Sequence, residues 1–134
     1  RRRRCILLNP PYTLLFQSKM IMKILWDLFP NHPLLLETDS KPLAGKKCVE
    51  KPNFSREGAN IRVWDEDGHV IDARDGDYGI YGKIYQAWAD LPQDSAGRFY
   101  QAGVFFSYEA CGLGFRREKG IIHNHSQFAG HCVE

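Results

Sequence analysis

The chain has 134 residues, 43% hydrophobic and 25% charged, which suits one soluble globular domain with one sizeable core. The net charge is only +2, and Arg1 to Arg4 supply four of the positive charges, so the remainder is slightly acidic. General nucleic-acid binding is therefore not indicated, and no apolar run is long enough to span a membrane.

The arginine run and Cys5-Ile6-Leu7-Leu8 begin like a signal peptide. The apolar stretch stops at Asn9-Pro10-Pro11, too short for the hydrophobic region of such a leader. Residues 1–8 are read as a basic, non-native or disordered N-terminus, and residues 9–134 as the folded part. Cys5, Cys48, Cys111 and Cys132 lie far apart with no Cys-x-x-Cys pair. Reduced thiols and a cytoplasmic location fit that spacing better than a disulfide framework.

Apolar residues from Leu14 to Phe29 recur at spacings of three and four, which predicts helical structure. Ser18 is a candidate N-cap for a helix from Lys19 to about Leu28. Pro30-Asn31-His32-Pro33 ends it, and residues 37–47 read as a polar connection.

From Cys48 the pattern becomes strand-like. Cys48-Val49-Glu50-Lys51 leads to Pro52, which is expected to break the strand before a polar loop. Ile61–Trp64 and His69–Ala73 form a hairpin around Asp65-Glu66-Asp67-Gly68, a turn of about four residues. Gly82–Trp88 is the next strand and Leu91–Gly97 a loop. Phe99–Phe106 and Ala110–Arg116 are two strands joined near Ser107-Tyr108-Glu109, and Gly120–His123 is a last short strand. One or two helices followed by antiparallel strands define an α+β fold.

Several places can carry chemistry. Lys51 at a strand end, followed by Ser55, Gly58 and Ala59, offers an ammonium and accessible backbone amides to an anion. The loop lacks the Gly-Lys-Ser/Thr of a P-loop, so a solvated lysine is the plain alternative. Lys19 stands at a helix start, where anions bind, or is a surface lysine. Gln86 to Ala89 can receive a purine edge, or form a core strand. Arg116 can hold developing negative charge through its planar fork, or pair with Glu118 or Asp90. His123, His125, His131 and Cys132 match no standard zinc spacing.

Five segments together resemble the C-terminal part of the glutathionylspermidine synthase family, ATP-grasp carbon–nitrogen ligases, from about Asn9 to His123. They are Leu25-Trp26 with Phe29-Pro30-Asn31-His32-Pro33-Leu34-Leu35; Ser18-Lys19-Met20; Lys51-Pro52 with Arg56-Glu57-Gly58-Ala59-Asn60; Ile84-Tyr85-Gln86; and Gly112 to Arg116. The resemblance implies an ATP-grasp-like, mostly antiparallel sheet with an N-terminal helix, as a partial domain. It implies that Lys19 and Lys51 hold ATP phosphates and that Ser55, Arg56, Gly58, Ala59 and Asn60 fold over them. Gln86, Ala87, Trp88 and Ala89 would line the adenine pocket. Gln101, Ile121, Ile122 and His123 would complete the site, with Arg116 as the catalytic group.

The implied reaction activates a carboxylate as an acyl phosphate, which an amine then attacks; in the family's named enzyme these are glutathione and spermidine. The implied cofactors are ATP and Mg2+, with the metal ligands upstream of this chain. Ser55 replaces a family glycine, and Asn9 a glutamate. The chain alone is expected to be incomplete and inactive as a ligase fragment and to expose apolar surface that the missing upstream part would cover. The competing reading is a non-catalytic binding domain with a degenerate nucleotide site.

Overall fold

The computed structural model describes residues 11–132; the expectations for residues 1–8 and for Asn9 lie outside them. The fold is α+β and mostly antiparallel. A 3-10 helix, Pro11–Gln17, leads into α1, Met20–Leu28. Eight strands follow: β1 Thr38–Asp39, β2 Cys48–Pro52, β3 Ile61–Trp64, β4 Val70–Arg74, β5 Lys83–Ala87, β6 Phe99–Ser107, β7 Glu109–Glu118 and β8 Gln127–Ala129. They form two sheets, in the orders β1-β5-β2-β3-β4 and β6-β7-β8.

The helix begins one residue later than expected. Ser18 is not its cap: Lys19 holds that position without a side-chain capping bond. Instead the Lys19 amide donates to the Asn53 carbonyl at 2.8 Å. A tertiary contact to the far end of β2 thus fixes the helix start where a local side-chain cap was expected.

Pro52 is the last residue of β2, paired with Lys83, and does not break the strand before it. Proline is tolerated there because the ladder ends with it. The polar connection 37–47 contains β1, whose Thr38 is 1% exposed and donates to the Leu36 carbonyl. The predicted strand Gly120–His123 is irregular chain, and the last strand is Gln127–Ala129. The His123 amide donates to Ser126 Oγ at 2.8 Å, so that segment turns where the β-branched pair suggested extension.

The fully buried apolar side chains among the described residues are Cys48, Pro52, Val63 and Ile84. They lie on the central strands β2, β3 and β5. Two-residue periodicity turns Val49 and Lys51 to one face of β2 and Cys48, Glu50 and Pro52 to the other. The buried Glu50 carboxylate pairs with Lys83 and accepts from the Trp64 indole at 3.1 Å.

The β6–β7 hairpin turns at Tyr108, a non-glycine residue at φ 63°. Its outer half is exposed on both strands, with Phe105 67%, Phe106 74% and Tyr108 101% exposed. At the base of β6, Asp94 closes the preceding loop. It accepts from the Ala96 and Arg98 amides, from Arg98 Nε at 2.8 Å and from Tyr100 Oη at 3.0 Å.

These donors, the Arg98 amide foremost, hold the Asp94 carboxyl down to about 2 from an ordinary 3.8. A depressed carboxylate adds stability above its ordinary value and loses it as pH falls through the lowered one. The loop is therefore expected to keep its structure at pH 4 and to release Arg98 near pH 2. Titration of the Asp94 carboxyl carbon by NMR checks this, and a midpoint near 3.8 would contradict it.

Candidate functional site

The two sheets face a cavity of about 500 Å3, within the range of small-molecule sites. The five-stranded sheet supplies Val49, Lys51, Ile61, Val63 and Gln86. The three-stranded sheet supplies Phe99, Gln101 and Arg116, and the β7–β8 connection Lys119 to Ile122 closes one side. Ten of the sequence-predicted residues meet here: Lys51, Gly58, Gln86, Ala87, Trp88, Ala89, Gln101, Arg116, Ile121 and Ile122.

The other six do not line it. Lys19 Nζ donates to the Ser55 carbonyl and hydroxyl at 2.8 and 2.9 Å, tying the helix start to the 53–60 loop. Ser55 and Arg56 face a second cavity with Gln17, Phe54, Tyr78 and Tyr81. Asn60 Oδ1 accepts from the Tyr78 amide at 2.7 Å. Gly76 lies so close to Ala59 that an added Cβ would come within 2.6 Å of the Ala59 Cβ. Ala59 and Asn60 thus anchor the β4–β5 connection. His123 sits behind the turn, 3.3 Å from Glu118.

The loop reaches the cavity through Gly58, at φ 72°. A Cβ there would lie 2.6 Å from the Ile122 carbonyl oxygen and 3.1 Å from the Ile121 side chain. Glu57 and Asn60 also take positive φ, 59° and 54°, a left-handed loop that alanine resists at the glycine. Gly58→Ala is expected to cost at least about 2 kcal/mol, combining backbone strain with a backbone clash. Thermal unfolding of the variant checks this; an unchanged midpoint would contradict it.

The cavity wall carries Lys51, Arg116 and Lys119 against the carboxylates Glu57 and Asp72. Burial pushes the Lys51 ammonium below the ordinary lysine range, and the nearby Lys19 charge adds to that. Burial also lowers Lys19. Lys51 Nζ donates to Gln86 Oε1 at 2.7 Å, and Gln86 Nε2 donates to Thr38 Oγ1 at 3.2 Å. Among the described residues neither Lys19, Lys51 nor Arg116 has a carboxylate partner. Arg116 Nε is buried with no hydrogen-bond partner. Of the three cations on the wall, Lys51 and Arg116 have no carboxylate partner, and the buried Arg116 Nε lacks any acceptor, an arrangement suited to an anion.

Trp88 sits at the edge with the Lys47 ammonium 4.0 Å from its ring centroid. The Ala87 and Trp88 amides already donate to the Glu37 and Lys47 carbonyls. Sequence reasoning missed Lys119, Asp72, Glu57 and the apolar wall of Leu36, Leu91 and Phe99. Lys119 lay just beyond Arg116 in an apparent surface run, and the others carried no local signal.

No helix among the described residues is long and apolar enough to cross a membrane. The one group of three potential metal ligands among them is Asp65, Asp67 and His69 on the β3–β4 turn, away from the cavity. The C-terminal histidines and Cys132 form no such group.

Two sheets around a small-molecule-sized cleft, with Lys51 and Arg116 on its wall, define an α+β domain. The family model described as glutathionylspermidine synthase preATP-grasp matches residues 1–134, and the chain belongs to that family. It is 31% identical over 135 residues to a putative acid–amine ligase of Haemophilus influenzae, covering 92% of this chain and 34% of that protein. It is 32% identical over 103 residues to the bifunctional glutathionylspermidine synthetase/amidase of Escherichia coli, covering 75% of this chain and 16% of that protein. It is 26% identical over 117 residues to trypanothione synthetase of Crithidia fasciculata, covering 85% and 18%. The chain thus spans about a third or less of these relatives.

Proposed function

We propose that this chain is the nucleotide-binding part of an ATP-dependent acid–amine ligase. The observation that carries the reading is the convergence of Lys51 and Arg116 without carboxylate partners, Arg116 Nε being a buried donor without an acceptor. Such a site is incomplete until an anionic oxygen enters.

ATP fits these groups. Its phosphates would meet Lys51 and Arg116, with Lys19 behind the loop. Its base would lie against Phe99, Leu36 and Leu91. Because the Ala87 and Trp88 amides are spent, the purine edge would meet the chain at Ala89. ATP supplies the phosphoryl group that activates a carboxylate for attack by an amine. Lys51 and Arg116 would offset the charge on that group, and Gly58 against Ile122 would exclude water from one side.

Magnesium does not fit in the same way. The carboxylates on the cavity wall are Glu57 and Asp72, fewer than an oxygen-rich magnesium shell draws on when carboxylates and phosphates share it. Its remaining ligands, like the acid and amine substrates, would be met by further parts of a longer ligase polypeptide.

Calorimetric titration of ATP, with and without magnesium, into wild type and Lys51→Ala tests the reading. Binding that is lost in the variant is the expected result. A folded wild-type chain that binds no ATP overturns it and favours a non-catalytic relative.

A further inference from the structure

Arg116 is held in an unusual way. It lies in the middle of a cross-strand row, opposite Gln101 on β6 and Phe128 on β8. Its guanidinium carbon sits 5.3 Å from the centroid of the Phe128 ring, within the range of a cation–π contact. Its neighbour Arg117 is gripped differently: Nε and Nη2 both donate to Gln127 Oε1, at 3.3 and 3.0 Å. Successive residues of β8 thus hold successive arginines of β7 on opposite faces, one by hydrogen bonds and one by a ring.

The difference has a chemical consequence. A carboxylate or amide partner would consume N–H donors of Arg116, and a carboxylate would also neutralise its charge. A ring face orients the guanidinium and leaves charge and donors free. The buried Nε without a partner is what such a holder leaves behind. Phe128 is itself 74% exposed, so its ring is poorly explained as core.

We propose that Phe128 is a positioning residue, which aims the Arg116 guanidinium into the cavity and keeps its donors available to an anionic oxygen. The functional half of this rests on the nucleotide reading above; the structural half does not.

Two readouts separate the halves. The first is the Arg116 Nε–Hε resonance in the ligand-free chain, in wild type, Phe128→Leu, Phe128→Met and Phe128→Tyr. The expected result is a slowly exchanging, ordered signal in wild type and Phe128→Tyr, and an averaged, fast-exchanging one in Leu and Met. The Met variant keeps apolar area without a ring, should Leu disturb β8. A signal unchanged in both overturns the proposal.

The second readout is ATP affinity. Loss of the ring is expected to weaken ATP by about 2- to 5-fold, the scale of an exposed cation–π contact, with Tyr restoring it. Unchanged affinity in Leu and Met, when wild type binds ATP, overturns the functional half. Wild type that binds no ATP, with the resonance behaving as expected, sinks the nucleotide reading and leaves the positioning role standing.

Discussion

Lys51→Met is expected to weaken ATP binding by about 10- to 100-fold, the worth of a charge-assisted phosphate contact, while relieving the fold of a strained charge. A lysine whose pKa is lowered by folding opposes folding while protonated. The penalty is complete below the lowered folded value, and it disappears once pH passes the ordinary 10.5. Wild type should therefore gain on Lys51→Met as pH rises through the lowered value towards 10.5. The variant leaves Gln86 Oε1 without its donor, costing about 1 kcal/mol at every pH. For that reason the pH trend, not one midpoint, is diagnostic. Paired thermal unfolding curves across alkaline pH measure it. A constant gap between the two proteins would show that Lys51 is solvated like any surface lysine.

Glu50→Ala is expected to be the most destabilising single change on the reverse face of the sheet, by about 3 kcal/mol. Removing one partner of a buried pair costs about 3–5 kcal/mol because the other charge is stranded. Lys83 is 38% exposed and can turn to water, which favours the low end. Trp64 Nε1 loses its acceptor as well, and no other partner for it is apparent. Three kcal/mol corresponds to a fall in melting temperature of about 10 °C for a chain of this size. Glu50→Gln keeps an acceptor for the indole and should lose less. Urea denaturation of the three proteins checks the order, and equal midpoints for wild type and Glu50→Ala would refute it.

Much of the fold was legible because strand chemistry is local. The β3–β4 hairpin announced itself through alternation around Asp65 to Gly68, and the long hairpin through its turn at Ser107 to Glu109. The missed features were tertiary. Ser18 has the right chemistry for a cap, yet the backbone of Asn53 fixes the helix start. Ile121-Ile122 has strand propensity, yet the Gly58 loop packs against it and Ser126 turns the chain.

The site divided along the same line. Lys51, Gln86 and Arg116 were found through motifs at strand ends, and the fold brings them to one cavity. Ser55, Arg56, Ala59 and Asn60 belong to the same motif, but they fasten the loop or face the second cavity. Spacing along a loop cannot tell which side chains point inward, because a run of left-handed residues resets their direction. Phe128 carried no signal of its own, since only the β7–β8 register, which no motif specifies, sets it opposite Arg116.

The placement of the cavity between two separate sheets bears on how the molecule comes apart. Each sheet closes its own hydrogen-bond ladder, and the Gly58–Ile122 approach is one of few bridges across the gap. Such units tend to open independently, each with its own free energy. Empty, the chain should melt with a calorimetric enthalpy larger than the van't Hoff value, the mark of more than one cooperative unit. A ligand touching Lys51 on one sheet and Arg116 on the other adds its binding energy only when both are folded. It thereby makes two melting units into one, so the nucleotide would serve as a missing piece of the core as well as a substrate.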